Sequence, residues 1–496
     1  MEPVEAQSYS SVEWKTSSPP RARVVGRQSV TSARREMGTR DIAPPWYATR
    51  QGWNPGYLGR TPLIGDSQHS HLSAGQEEAK SEIAKVVYSH ESTYDYEVPA
   101  GLLGCALVGG YAAVGSMSKN GFGDAIFSYV VDPPHAGFPG APRPLLREYT
   151  GLGPVDDVLA VLVGFFSGLF DGDVAPECRI FALWGMTQFA ACWTLLALEG
   201  LRAGNRGRLV SWTGIMGLIL QTASWTIIVP LWLILHLFTS PVAELSPASS
   251  VSASVLLVDL WDLAVLPLTV AFTFITPTVA MFLPSHFSPA AHYGAIALWQ
   301  PFPLWHSIVQ FVLSRLARVV DRAPPAVDAQ GRSNTPPTAF LAQVKSVYSF
   351  VTVLSVAVQV AALQLVFAPT AVRESLALSY PGLGAFVEPS VTFASVFVPC
   401  GPLSAPAVTP VSLGSGDLAP LAVYFLQYDM YFGCGAMLLW ALYLHRNAVR
   451  KTTGLQVAGK VLWWFALGGF AGALSALLWE RDTIVEEPEK PEKKIQ

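Results

Sequence analysis

The sequence predicts an all-α fold, a polytopic bundle of transmembrane helices. Three observations carry that prediction. Segments 209–238, 263–283, 289–313, 346–372 and 461–479 contain no Asp, Glu, Lys or Arg. An apolar run of about 18 residues or more is long enough to cross a bilayer as a helix. The chain is 51% hydrophobic and only 14% charged, well below the roughly 25% charge of soluble domains. The third observation is the contrast with residues 1–97, which are rich in Ser, Arg, Glu, Pro and Gly.

That N-terminal stretch supplies too little apolar surface to offset ordering entropy, so residues 1–97 are expected to form a disordered cytosolic tail. No charged segment followed by an apolar core opens the chain, and no cleavable signal peptide is expected. Pro45, Trp46, Tyr47 and Trp53 form an aromatic patch within the tail. The polytopic domain is expected over 98–483, followed by a charged C-terminal tail over 484–496.

Within the domain, 98–117 is short and Gly-rich and suits a span or an interfacial helix. Asp156 and Asp157 stand in the first turn of 153–170, where acids favour a helix N-terminus. Segment 180–198 ends at Glu199, with Arg202 three residues on, the spacing of an interfacial pair. Segment 209–238 would be about 45 Å long as one helix. It therefore tilts, kinks at Pro230 or projects beyond the bilayer. Segment 256–283 carries Asp259 and Asp262 near its start, then Pro267 and Pro277. Segment 289–313 is interrupted by Trp299-Gln300-Pro301-Phe302-Pro303, which predicts a sharp kink or a re-entrant path. Segment 346–372 is a clean span, and a short interfacial helix is expected near 373–387. Segment 418–444 holds one acid, Asp429. The Gly- and Ala-rich 461–479 suits close helix packing. The sum is about eight spans, plus or minus one.

Three basic loops, 202–208, 315–332 and 446–460, should share the cytosolic side. Three apolar segments lie between the first two loops, an odd number, so they cannot all cross. A re-entrant 289–313 resolves the conflict, as does a misplaced loop.

A net charge of −4 gives no sign of nucleic-acid binding. Five Cys without a C-x-x-C pair make neither a disulfide framework nor a zinc site. Cys178 and Cys192 read as small apolar residues. No D-D-x-x-D or N-D-x-x-D cluster is present to hold magnesium on a diphosphate, and no Walker motif occurs. Asp171 and Asp173 read as a turn. His236, His292 and His306 lie singly on apolar segments and read as packing residues. No metal and no cofactor are expected.

Acids within spans are costly unless partnered, which marks them as functional candidates. Asp429 stands first, well inside its segment. Asp259 and Asp262 share a helix face but lie near an end. Glu199, Glu480 and Asp482 are terminal and read as structural. Aromatic residues gather around the acids and the proline break: Trp261, Trp299, Phe302, Trp305, Tyr424, Phe425, Tyr428 and Tyr431. Aromatic faces stabilise cations by roughly 0.5–2 kcal/mol each when desolvated.

Several phrases carry a resemblance. They are Arg147-Glu148-Tyr149-Thr150-Gly151-Leu152-Gly153-Pro154-Val155-Asp156, Pro277-Thr278, Met281-Phe282-Leu283-Pro284-Ser285, Trp299-Gln300-Pro301-Phe302-Pro303, Phe425-Leu426-Gln427-Tyr428-Asp429 and Leu478-Trp479-Glu480-Arg481-Asp482. In this order, over roughly 98–485, the chain resembles the fungal integral membrane proteins that include the terpene cyclases of ascofuranone and ascochlorin biosynthesis. The resemblance implies cyclisation of an epoxidised prenyl chain on an aromatic meroterpenoid core, without metal or diphosphate loss.

The expectation is thus a terpene cyclase of the endoplasmic reticulum whose partners are the lipid bilayer and a hydrophobic prenylated small molecule. Asp429 is its candidate acid and Asp262 its candidate base or bracing partner, with Asp259 beside it. Trp299, Trp305 and Tyr428 are candidates for the cation-lining wall. A transporter or a lipid-organising scaffold is the rival expectation, because a broken segment with intramembrane acids also suits a translocation path. Substrate, ring formed and oligomeric state are not encoded in any motif.

Overall fold

A computed structural model describes residues 96–131, 146–171, 174–246, 249–323, 325–328, 332–380, 386–387, 391–409, 418–449 and 452–486. Most of the expected N-terminal tail and most of the charged C-terminal tail lie outside the described residues. Among the described residues regular structure is helical, apart from one isolated bridge between Val327 and Ser333.

Fourteen labels suffice for the helices. They are α1 (Tyr96–Lys119), α2 (Phe122–Val131), α3 (Gly153–Phe170), α4 (Pro176–Gly200), α5 (Thr213–Ala223) and α6 (Trp225–Thr239). Helix α7 joins Leu260–Val270 to Thr276–Met281 through a π-turn at Ala271–Ile275. Then come α8 (Pro289–Trp299), α9 (Phe302–Asp321), α10 (Pro337–Phe367), α11 (Thr370–Ser379), α12 (Phe393–Phe397), α13 (Ala419–Ala448) and α14 (Gly454–Asp482). Six helices are long and apolar enough to cross a membrane: α1, α3, α4, α7, α10 and α14. The 30-residue α13 matches them in length. In the region where a short helix is expected, 373–387, α11 covers Thr370–Ser379.

Local chemistry sets the starts. Pro154, Pro176, Pro289 and Pro337 occupy first-turn positions, where a missing N–H costs nothing. Asp156 accepts from the backbone N–H groups of Tyr149, Thr150 and Gly151 at 2.8–3.2 Å and from the Thr150 hydroxyl at 2.8 Å. That gives the Tyr-Thr-Gly-Leu-Gly-Pro-Val-Asp phrase a physical role: it folds onto the first turn of α3. Thr453 and Gln456 form a capping box on α14.

Segment 209–238 is not the single tilted, Pro230-kinked or projecting helix that its length suggests. It breaks at Ser224, whose φ is +82°, and Pro230 stays inside α6. The chain then doubles back. Arg208 Nη1 donates to the Thr239 carbonyl at 2.6 Å, although a straight helix would part them by about 45 Å. Helices α5 and α6 are a helical hairpin that enters and leaves the bundle at one end.

Helix α14 does the same. Gly469 has φ +61° and ψ −153°, a conformation that favours glycine. Lys460 pairs with Glu480, residues that a straight helix would hold about 30 Å apart. A Cβ at Gly472 would lie 2.8 Å from the Trp464 carbonyl oxygen. The Gly and Ala content of 461–479 thus serves packing between the two halves of its own hairpin.

Segment 289–313 takes the kinked alternative. Its halves, α8 and α9, meet at Gln300 and Pro301. The start of α8 lies near the end of α3, where His292 faces Asp171, and the far end of α9 reaches the start of α7, where Arg318 pairs with Asp259. The parity conflict is therefore removed by the reversal at Ser224. The basic loops after α4, after α9 and between α13 and α14 gather at one end of the bundle.

That end is closed by buried charge. Arg481 Nη2 lies 2.9 Å from Glu199 Oε2, and Arg202 Nη2 lies 2.7 Å from Asp482 Oδ2. Tyr348 donates to Asp482 Oδ2 at 2.8 Å. Trp440 Nε1 donates to His236 Nδ1 at 3.2 Å, which leaves His236 Nε2 to donate to Glu199 Oε1 at 3.2 Å. Burial works against the charge on Arg202, but Asp482, Tyr348 and Glu199 together outweigh it and hold the guanidinium above its ordinary range. The interfacial Glu199–Arg202 pair expected from spacing is the edge of this larger cluster, which joins α4, α6, α10 and α14.

Removing one member of a buried ion pair typically costs about 3–5 kcal/mol. Arg481→Met should therefore abolish the monodisperse size-exclusion peak in detergent or lower the thermal midpoint sharply. A midpoint equal to wild type would show the cluster to be energetically idle. The hairpin is checked by single cysteines at Arg208, Ser250 and Arg332, which should all label from the same face of sealed microsomes. Opposite labelling of the Arg208 and Ser250 positions would make 209–239 a crossing.

Candidate functional site

Asp429 sits on α13, 8% exposed. Its Oδ1 accepts the Thr226 backbone N–H at 2.9 Å and the Ser224 hydroxyl. Both donors belong to the reversal between α5 and α6. Asp429 thus caps a helix that begins inside the bundle, facing the positive end of the α6 dipole. A carboxyl fixed through Oδ1 leaves Oδ2 as the oxygen on which a transferable proton would sit.

Trp225, the residue between those two donors, leads into an aromatic cluster. Its ring centroid lies 4.6 Å from Phe189, which lies 6.1 Å from Trp299 and 5.6 Å from Phe302. Trp299 also packs at 5.1 Å from Phe166 and 5.3 Å from Phe274. The indole N–H groups of Trp225 and Trp299 are buried without an acceptor. Trp299 is therefore brought into the neighbourhood of Asp429 through two rings.

The other sequence candidates lie elsewhere. Asp259 caps α7 by accepting the Trp261 N–H at 3.0 Å, and it pairs with Arg318 of α9. The Asp262 carbonyl accepts from Gln310 at 2.8 Å. Both stand at the basic end. Half-buried Trp305 donates its indole N–H to the Leu298 carbonyl at 3.1 Å and spans the α8–α9 break. Tyr428 donates to the Cys400 carbonyl at 2.7 Å and packs 5.1 Å from Tyr424. Neither joins Trp299.

Sequence reasoning missed three groups. His292 Nε2 lies 2.8 Å from Asp171 Oδ1, both side chains essentially unexposed; the sequence suggested a turn and a packing histidine 121 positions apart, with nothing to link them. Trp225 was one aromatic in an uncharged run. Gln188 is a lone amide in apolar α4, and it spans the α14 reversal: Nε2 donates to the Gly468 carbonyl at 3.1 Å and Oε1 accepts the Ala471 N–H at 3.0 Å. Cys192 and Cys434 are buried thiols 3.7 Å apart, not a disulfide. No three His, Cys, Asp or Glu side chains among the described residues come together in a way that would hold a metal ion.

Beside the α14 reversal lies a cavity of about 430 Å³. Trp184, Gln359, Phe397, Tyr431, Gly469 and Phe470 form most of its wall. None of the acids named above lines it.

The chain is 25% identical to the terpene cyclase ascI of Acremonium egyptiacum over 359 residues, 70% of this chain and 83% of that protein. It is also 25% identical to the terpene cyclase ctvD of Aspergillus terreus over 347 residues, 69% of this chain and 87% of that protein. No solved structure matches the chain. The CtvD domain family model matches residues 100–486, which takes in every helix from the body of α1 to the end of α14, and the chain belongs to that family.

Proposed function

We propose that this protein is a membrane-embedded terpene cyclase, resident in the endoplasmic reticulum, that closes rings in the epoxidised prenyl chain of a meroterpenoid. Membership in a family with two proteins named as terpene cyclases supports the class. The observation that carries the chemistry is Asp429, a carboxyl held inside the bundle by two donors on one oxygen, next to an aromatic cluster.

In this reading the proton on Asp429 Oδ2 passes to the epoxide oxygen as a C–O bond breaks. The electron pair of a prenyl double bond attacks the cationic carbon and forms a C–C bond. Loss of a proton to a base then ends the cascade, so the overall step is an isomerisation. General acid catalysis draws on the protonated form of the Asp429 carboxyl. Trp299, Trp225 and Phe189 present π-faces to the passing cation. Trp305 and Tyr428 flank this region through the backbone they anchor. Asp259, which pairs with Arg318, and Asp262 near it at the basic end stand second as acid–base candidates.

The assay is incubation of microsomes with an epoxyfarnesyl aromatic substrate and mass spectrometry of the products. Asp429→Asn retains the cap, since an amide oxygen can still accept from Ser224 and Thr226, but removes the transferable proton. It should accumulate normally and lose cyclisation by about 10²–10⁴-fold, the usual share of general acid catalysis. Normal turnover at normal abundance would confine Asp429 to the cap and move the search to Asp259 and Asp262.

Trp299→Leu should lower turnover by about 3- to 30-fold, matching the roughly 0.5–2 kcal/mol worth of one cation–π contact. Trp299→Phe should retain most of the activity. Equal losses in both variants would assign Trp299 to packing alone.

A further inference from the structure

We infer that the cavity beside the α14 reversal binds an extended isoprenoid chain drawn from the bilayer, at a holding site separate from Asp429; that the chain belongs to the substrate rests on the cyclase reading above.

The cavity is built, not slack left by loose packing. Gly469 holds φ +61° and a Cβ there would lie 2.8–2.9 Å from the Gln188 amide. That amide bonds both sides of the break, so it replaces backbone bonds that a continuous helix would have made. The reversal is therefore fixed in place. The rings are fixed against one another too: Trp184 lies 5.3 Å from Phe397 and 6.1 Å from Tyr431, and Tyr431 lies 6.2 Å from Phe470.

The wall selects an uncharged, apolar occupant. Polar groups of its wall bond within the protein: Gln359 Oε1 accepts the Trp184 indole N–H at 2.6 Å, and Tyr431 donates to the Phe397 carbonyl at 2.6 Å. No cation or carboxylate lines it. A volume of about 430 Å³ falls in the range of small-molecule sites, roughly 300–1,000 Å³. Rigid aromatic faces suit the flat, repeated double bonds of an isoprenoid better than a saturated acyl chain.

The opening is rimmed by exposed apolar side chains. Phe393 and Phe465 line the cavity and are 43% and 38% exposed, and exposed Phe367 stacks on Phe393 at 5.8 Å. A chain dissolved in lipid can enter between them without passing through water. Tyr431 and Asp429 stand two residues apart on α13, about 200° around the helix. A chain in the cavity is thus on the far side of α13 from the carboxyl.

The test uses the full-length protein in membranes and a diazirine-bearing farnesol as probe. After irradiation and digestion, label should appear in peptides carrying Trp184 or residues 465–470. Unlabelled farnesol should compete it away, and the same concentration of oleic acid should not. Ala466→Trp, which fills the mouth, should reduce the labelling by about tenfold, the equivalent of roughly 1.4 kcal/mol of binding. Leu363→Trp is the second filling variant should the first fail to accumulate. Equal competition by oleic acid would make the cavity a general lipid groove and overturn the inference. So would label confined to other peptides, or labelling unchanged in the filled variant. If no prenylated substrate is turned over but farnesol-specific labelling persists, the cyclase reading falls and the chain site stands.

Discussion

Helix α6 and the second half of α14 begin inside the bundle, and that constraint shapes everything around them. The first amides of any helix lack intrahelical acceptors, and among apolar side chains no water replaces them. Each interior start therefore needs an acceptor brought from another helix. For α6 it is Asp429 of α13. For the second half of α14 it is Gln188 of α4, which reaches the Ala471 N–H. The two acceptors differ in one respect that matters chemically: a carboxyl can gain and lose a proton in water's working range, and an amide cannot.

The reversals also explain the closed end. A hairpin returns its chain to the end from which it entered, so α6 and α14 both finish where α4 finishes. His236, Arg481 and Asp482 arrive beside Glu199 and Arg202 for that reason. Two carboxylates and two guanidiniums there answer one another's charge, and Tyr348 and His236 satisfy further oxygen lone pairs. Buried ion pairs of this kind specify an arrangement more than they stabilise it. Here the arrangement specified is the meeting of two returning chains.

Length and composition were enough to read the class of fold, because an uncharged run of 20 or so residues has few other uses. The break at Gln300 and Pro301 was legible, since proline marks itself. The reversals were not. Ser224 resembles any small polar residue in a helix, and Pro230 drew attention away from it although α6 accommodates that proline. Gly469 is one of several glycines in its run. What makes each a turning point is a side chain more than 200 positions away in sequence, Asp429 or Gln188. The parity of the basic loops did register that one segment fails to cross; it could not say which. Asp429 stood out as an acid in an apolar segment, and Trp299 as a mid-segment indole. Asp171 and His292 gave no joint signal because their pairing depends on how α3 and α8 pack.

Helix α13 separates two environments that a cyclisation needs in different ways. On one side, in the proposed reaction, a carboxyl and edge-to-face rings would offer a proton and aromatic surface, suited to starting and carrying a cation. On the other, a rigid aromatic cavity offers surface and shape but no acid. A cation generated in contact with a lipid-facing opening would be exposed to stray nucleophiles and to loss of its proton before ring closure. In the proposed reaction, an acid behind α13, at the apex of the α5–α6 hairpin, would keep the reactive end away from that exposure. The same helix supplies both sides, with Asp429 and Tyr431 only two residues apart.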